Sequence, residues 1–459
     1  MVANIKSKSI IIKECADKHD SLNIISIPKV LLEKSNNVEL EESKILKVGC
    51  SEYKVETIVN DTDNCIEIPR SLMKDLGLYN GLKSNAYVEN GKLNIGPVVA
   101  VFTSMSLIRN AKKQKLSNNI KRYLKANETA QCILYFFCVH DVDFYKQRIN
   151  GVIYNKAESK WEIGSLPLPN VLYDRGGSRY KYLNVSNSIR RELEKIDEIK
   201  KVNAQSFFDK LHLYEVLSKY PAMRTHLPLT KDYSKEGLKE LFKVSKTVYI
   251  KARLGSNGKS VMRVEEITDK LYKYSTARNE IVTGTAYSLD ELVEEITKFF
   301  KNRELLIQAE INLLKIDNCL VDMRATVQRD YRGELGITTC VVRLAQKDSP
   351  VTSTASGSNV YSFEEFFKYV MEYSDNEIFR IKTDVETFLI NTYKYLEDSY
   401  GAFGEIGIDL GIDDEGELWF IESNSKPAKT TIHLLKNNDL IMQSYLKPLE
   451  YAKYLASFY

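Results

Sequence analysis

The segment Phe403 to Pro427, FGEIGIDLGIDDEGELWFIESNSKP, concentrates oxygen-bearing side chains at strand spacing. Residues 405–412 alternate, with Ile406, Ile408, Leu410 and Ile412 on one side and Glu405, Gly407, Asp409 and Gly411 on the other. Asp413-Asp414-Glu415-Gly416 is a turn signal, and the next strand alternates again, with Trp419 and Ile421 opposed to Leu418, Phe420, Glu422 and Asn424. A four-residue turn pairs Ile412 with Glu417, which sets Asp409 opposite Phe420, Glu422 opposite Gly407, and Asn424 opposite Glu405. Asp409, Glu422 and Asn424 then share a face, the two acids being diagonal neighbours about 7–8 Å apart. Gly407 would leave a space for a metal ion or a phosphate oxygen. A slip of one residue would put the acids on opposite faces. Two carboxylates and an amide on one face repel unless a cation joins them, and hard oxygen donors suit Mg²⁺ together with substrate phosphates. The bland alternative is a solvated hairpin carrying chance acids. The alternating glycines argue against it, because glycine is depleted in strands.

A second hairpin runs from Thr247 to Val264, with Lys251 on its first strand and Gly255, Ser256 and Gly258 in its loop. Such a loop can lay backbone N–H groups over phosphates, and Lys251 can reach a phosphate oxygen. Gly258-Lys259-Ser260 imitates the end of a P-loop, but the first glycine is replaced by Arg253, and SVMRV reads as a strand where a helix should follow. A P-loop kinase is therefore disfavoured. Asp209-Lys210 precedes a helical run, Leu306 to Ile311 reads as a strand leading into a connector, Arg324 sits on an alternating strand, and Val341 to Leu344 reads as a strand carrying Arg343.

The elements that must hold these residues fall into three stretches of a 459-residue chain. Residues 1–96 read as a β-rich domain with an internal repeat, Ile27-Pro28-Lys29-Val30-Leu31-Leu32 resembling Ile68-Pro69-Arg70-Ser71-Leu72-Met73. Residues 97–203 read as α/β: buried strands at 97–102 and 133–139, a helix over 106–125, a hairpin over 151–163 and a helix over 186–203. Residues 204–459 form the third stretch, whose terminal helix is expected to kink or split at Pro448. Lys plus Arg is 65 against 62 Asp plus Glu, so binding nucleic acid by bulk charge is not expected. No apolar run approaches membrane-spanning length, and no signal peptide is expected. The seven cysteines form no C-x-x-C pair and the five histidines lack metal-ligand spacing, which suggests buried thiols in a reducing cytoplasm and gives zinc no support.

In order along the chain, Lys210, Lys251 with its glycine loop, the Gln308–Ile311 strand, Arg324, Arg343, Asp409 and Glu422-x-Asn424 resemble the ATP-grasp superfamily. The phrases LPLPNVLYDR, VYIKARLGSNGKSVMRVE, LIQAEINL, VDMRATVQRD and GEIGIDLGIDDEGELWFIESNSKP resemble the YheC/YheD group of endospore coat-associated proteins. This resemblance implies an α/β (α+β) ATP-grasp fold with mixed antiparallel sheets, preceded by an α/β pre-ATP-grasp domain and the small β-rich domain. It implies that Lys210 and Lys251, with Gly255, Ser256 and Gly258, contact ATP phosphates. It implies that Gln308, Ala309, Glu310 and Ile311 line the adenine and ribose pocket, Glu310 reaching the ribose. Arg324 and Arg343, with Lys251, would be catalytic at the transferred phosphoryl group, and Asp409, Glu422 and Asn424 would hold Mg²⁺. The implied function is ATP-dependent ligation of an unknown carboxylate to an amine or other nucleophile through an acyl phosphate. Spore-coat proteins are the implied partners, and the implied location is the cytoplasm or the spore coat. The alternative is a nucleotide-binding structural or coat-assembly protein with little turnover. Three departures from the group stand out: Ala252 where a proline is usual, the 351–358 stretch VTSTASGS lacking an asparagine and a paired glycine, and Ala428 where glycine is usual.

Overall fold

The computed structural model describes residues 7–15, 23–32, 45–176, 182–255, 260–277 and 281–459, so Ser256 and Gly258 lie outside the described residues. The chain divides into two compact units: residues 1–203 with 329–334 and 445–459, and residues 204–328 with 335–444.

The first unit contains an eight-stranded sheet and a sheet of seven strands. In the former the internal repeat has structural meaning. Ile24–Pro28 ends on the first Ile-Pro and leads into a 3-10 turn, and Cys65–Ile68 ends before Pro69, the N-cap of helix Arg70–Leu76. Lys8–Glu14 runs parallel to Cys65–Ile68, and Glu56–Asn60 runs parallel to Ile24–Pro28. Each half therefore lends a strand to the other. In the second sheet Val98–Phe102, fully buried, lies parallel between Ile133–Phe137 and Val171–Asp174. The helix expected over 106–125 is two helices, Met105–Lys112 and Asn118–Ala130, because Ser104 and Ser117 each cap a new N-terminus. The helix expected over 186–203 is Leu183–Glu194, followed by a short strand at Lys200–Lys201.

The second unit opens with helix α1 (Lys210–Leu217), capped by Asp209, whose side chain accepts from His212 N. Helix α2 (Lys235–Phe242), strands β1 (Thr247–Ala252) and β2 (Val261–Thr268), helix α3 (Leu289–Phe300) and strand β3 (Leu305–Ala309) follow. The element after the glycine loop is thus a strand, as the failed P-loop match requires. β3, β1 and β2 are adjacent and antiparallel in a six-stranded sheet. Alternation gives this sheet two faces. Val248, Ile250, Met262 and Ile307 pack with Leu238 and Leu241 of α2 and Leu292 and Ile296 of α3. Tyr249, Lys251 and Gln308 are left on the other face.

Strands β4 (Cys319–Arg329), β5 (Leu335–Leu344), β6 (Glu405–Ile412) and β7 (Leu418–Asn424) belong to a second six-stranded sheet, in the order β5-β4-β6-β7. Helix α4 (Asp375–Tyr400) begins with a capping box, Ser374 with Glu377, and buries Val385, Leu389 and Leu396 with Ile406, Ile408 and Leu410 of β6. The last helix, α5 (Asn438–Leu455), is continuous through Pro448, so the expected split does not occur. A proline denies a hydrogen bond to the carbonyl four residues earlier, here that of Ser444. Ser444 O accepts instead from Lys429 Nζ at 2.5 Å and Gln328 Nε2 at 3.0 Å.

Candidate active site

The hairpin β6–β7 departs from the expected register in two ways. Its ladder closes at Ile412 opposite Leu418, one residue further along than expected, and it carries a bulge at Ile421. Together these set Asp409 opposite Glu422 and Gly407 opposite Asn424. The acids are direct cross-strand partners, not diagonal ones, and remain on one face. The longer closure sends Leu418 and Phe420 into the core with Leu410 and Ile412, whereas simple alternation placed them beside Glu422, and the bulge then returns Glu422 to the face of Asp409. The space expected above Gly407 is filled: a Cβ there would lie 3.0 Å from Arg324 Nε and 3.0 Å from Pro427 Cβ. Above Gly411 the corresponding space is filled by Leu313. The glycines thus admit neighbouring side chains and not a ligand.

Arg324 arrives from β4, whose register sets it directly opposite Asp409 on the other edge of β6. Its Nη1 bonds Asp409 Oδ1, and Arg343 Nη2 from β5 lies 3.2 Å from Asp409 Oδ2. Arg343 also forms a fork on Asp322, with Nε–Oδ1 at 2.7 Å and Nη2–Oδ2 at 2.5 Å, and Thr352 Oγ1 bonds the same carboxylate. Burial pushes the Asp322 carboxyl up, and Asp409 adds to that push against the opposing pull of Arg343. On Arg343 burial acts to lower the pKa, but Asp322 and Asp409 prevail and hold the guanidinium charged.

The second acid is held differently. Lys210, the first residue of α1, reaches Glu422 Oε2 at 2.7 Å and Gly255 O at 3.1 Å. Asn424 Nδ2 donates to Glu422 Oε1 at 3.0 Å. Burial would raise the Glu422 carboxyl, but Lys210, Asn424 and Arg324 overcome it and keep the group well below the usual carboxylate range. On the first sheet of this unit Lys251 Nζ donates to Gln308 Oε1 at 2.6 Å, and Gln308 Nε2 donates to Thr230 Oγ1 at 2.9 Å. Burial depresses the Lys251 amine to about 8; Lys210 acts in the same direction, while Glu422 and Asp409 act against both.

These groups converge on one cleft of about 290 Å³. Lys210, Lys251, Gly255, Gln308, Ala309 and Ile311 line it. Arg324, Arg343, Asp409, Glu422 and Asn424 also line it. Glu310 is turned to Arg263, Nε–Oε1 3.2 Å. Several lining residues were missed from sequence: Tyr249, Asp322, Thr352, Lys426 and Thr430. Asp322 had a readable signal, since it sits two residues before Arg324 and hence on the same strand face. Tyr249 likewise lies two residues before Lys251. Thr352, Lys426 and Thr430 lie outside the strands and carry no such signal.

Among the described residues no group of three or more His, Cys, Asp or Glu side chains is placed to hold a metal. The donor set here is smaller: two opposed carboxylates and an amide on one face, oxygen donors throughout. That set fits Mg²⁺, which takes one or two carboxylates and completes its shell with water and phosphate oxygens.

The family described as YheC/D like ATP-grasp matches residues 198–455, more than half of the chain. The chain belongs to the YheC/D-like ATP-grasp family. Two curated relatives come from Bacillus subtilis (strain 168). Endospore coat-associated protein YheD is 26% identical over 404 residues, covering 86% of each chain. Endospore coat-associated protein YheC is 22% identical over 340 residues, covering 70% of this chain and 87% of its own. Among solved structures, the VanG D-Ala:D-Ser ligase from Enterococcus faecalis is 13% identical with a TM-score of 0.45, covering 77% of this chain and 99% of its own. The D-cycloserine synthetase DcsG is 9% identical with a TM-score of 0.46, covering 78% and 99%. The ATP-grasp architecture expected from sequence is thus the architecture of this family member. No helix among the described residues is long and apolar enough to cross a membrane.

Proposed function

We propose that the cleft binds Mg-ATP and activates a carboxylate for ligation to an amine or another nucleophile. One observation carries this reading. Asp409 and Glu422 face each other across adjacent strands, with Lys210, Lys251, Arg324 and Arg343 lining the same cleft. Asp409, Glu422 and Asn424 would hold the metal, which when bound supplies charge neutralisation at the phosphates. Lys210 and Lys251 would draw in phosphate oxygens, and the backbone at Gly255 would approach them closely. Gln308, Ala309 and Ile311 would shape the nucleotide pocket. Glu310, paired with Arg263, would have to release that pair to reach a ribose. Arg324 and Arg343 would hold the reacting groups in line and spread the developing negative charge, so that the protein contributes positioning and electrostatics. The carboxylate oxygen attacks the γ-phosphorus, giving an acyl phosphate and ADP, and the nucleophile then displaces phosphate. Action at the spore coat, with coat proteins as partners, is part of the proposal and takes its support from the names of the two curated relatives, while action in the cytoplasm takes its support from the scattered cysteines of the sequence.

The test is Glu422→Ala. Calorimetric titration should show wild-type protein binding ADP more tightly with Mg²⁺ than without, and the variant should lose that increment together with ADP release from ATP across a panel of acids and amines. Normal turnover by Glu422→Ala would overturn the assignment. Tight binding by wild type with no turnover across the panel would favour the structural, coat-assembly reading.

A further inference from the structure

The acids meet only because β7 carries one extra residue. With Ile421 drawn straight into the ladder, Asp409 would pair with Ile421, and Glu422 would turn to the face that Ile406, Ile408 and Leu410 bury. An extra residue in a ladder has no partner on the opposite strand, so its backbone groups need another. The outer edge of β7 is met residue by residue by the segment around α1. His226 Nδ1 donates to Leu418 O at 2.6 Å, and Phe420 N donates to His226 O at 2.9 Å. Ile421 O accepts from Tyr214 OH at 2.5 Å. Tyr214 is buried, and its ring meets Phe420 edge-on with centroids 5.6 Å apart. It lies four residues after Lys210 and so on the same side of α1. One helix face therefore grips two consecutive residues: Tyr214 takes the carbonyl of Ile421, and Lys210 takes the carboxylate of Glu422.

We propose that Tyr214 is a positioning residue that fixes the bulge at Ile421 and thereby sets Glu422 against Asp409 for divalent-metal binding. The inference rests on the Mg-nucleotide reading of the cleft. The bulged carbonyl is held by one hydroxyl whose loss leaves the ring packing intact. The same hydroxyl also meets the Gln308 amide, a contact that acts with or without metal, so the metal-dependent part of nucleotide binding should respond beyond any loss common to both conditions.

The experiment titrates ADP into full-length wild type and Tyr214→Phe by calorimetry, each in EDTA and in excess Mg²⁺. Any loss in EDTA reports the Gln308 contact, and the variant should lose about tenfold more in excess Mg²⁺, the effect of one buried hydrogen bond. Placing 4-aminophenylalanine at position 214, which restores a donor at the same point of the ring, should recover the tightening. Equal loss with and without Mg²⁺, no loss at all, or no recovery by the amino analogue would overturn the inference while leaving nucleotide binding intact. Wild type that binds ADP under neither condition would overturn the nucleotide reading and this inference with it.

Discussion

At the scale of the residue, Lys251 is the group whose titration the cleft controls most directly. Burial lowers its pKa from 10.5 to about 8, so the protein pays for the buried charge below that pH and is relieved of it as pH rises toward 10.5. Phosphate oxygens favour the ammonium and would raise the pKa again on binding. Binding near pH 8.5 should therefore take up a proton, and affinity for MgADP should fall as pH rises through about 8. Calorimetry in two buffers of different ionisation heat checks this, and Lys251→Arg should abolish the uptake. Affinity flat from pH 7 to 9 would count against Lys251 as a phosphate contact. Residue identity was also the most legible level of the sequence. Asp409, Glu422 and Asn424 could be picked out because strand alternation places polar residues on the face opposite their apolar neighbours, and Lys251 by its glycine loop, whereas Lys210, Gln308, Arg324 and Arg343 drew their meaning from their order along the chain, which resembles the ATP-grasp set. Thr352 and Lys426 could not be picked out, because no periodicity reaches a connecting segment.

At the scale of the element, what escaped the sequence was the count of residues in a ladder. Period-two reading assumes an even ladder, and the longer closure after Ile412 together with the bulge at Ile421 breaks that assumption twice. The two errors offset each other, which is why the acids were assigned to one face while their partners were misassigned. Pro448 shows the same limit, since its local rule held and a distant pair of side chains answered it. Lys429, 6% exposed, bonds Glu405, 0% exposed, at 2.7 Å and also reaches Ser444 O. Gln328 Nε2 joins the same carboxylate at 3.1 Å. Removing one member of a buried ion pair strands the other, at a cost of about 3–5 kcal/mol. Lys429→Met should lower the unfolding free energy of the second unit by that order, read as a lower urea midpoint followed through Trp419. Adding Glu405→Gln should recover most of the loss. A midpoint unchanged in Lys429→Met would mean that the pair contributes no net stability.

At the scale of the whole molecule, composition and the α/β alternation conveyed the layered sheets, but not which distant segments complete them. Residues 445–459 belong to the first unit although they are last in the chain. There Tyr445, Leu449 and Ala452 are fully buried, and Tyr445 meets Tyr123 edge-on at 4.8 Å. Two tryptophans, Trp161 and Trp419, fall one in each unit, so a Trp419→Phe background isolates the first. In that background, ending the chain after Ser444 should destabilise the Trp161-reported transition by more than about 5 kcal/mol, the order expected for losing several buried aromatic and aliphatic side chains. An unchanged transition would show that the terminal segment is dispensable to that unit.

The hydrogen bond from Ser7 N to Tyr459 O, 3.1 Å, has a consequence for how the chain is made. Domains usually acquire structure in order as they leave the ribosome, the earliest-synthesised first. Here the residues before 204 wait for residues 445–459, which belong to the same unit. While the intervening residues are translated, the earlier part of that unit must persist short of its final packing, with apolar surface uncovered. A pause in translation between residues 204 and 444 should therefore prolong that exposure in a portion of the protein already made.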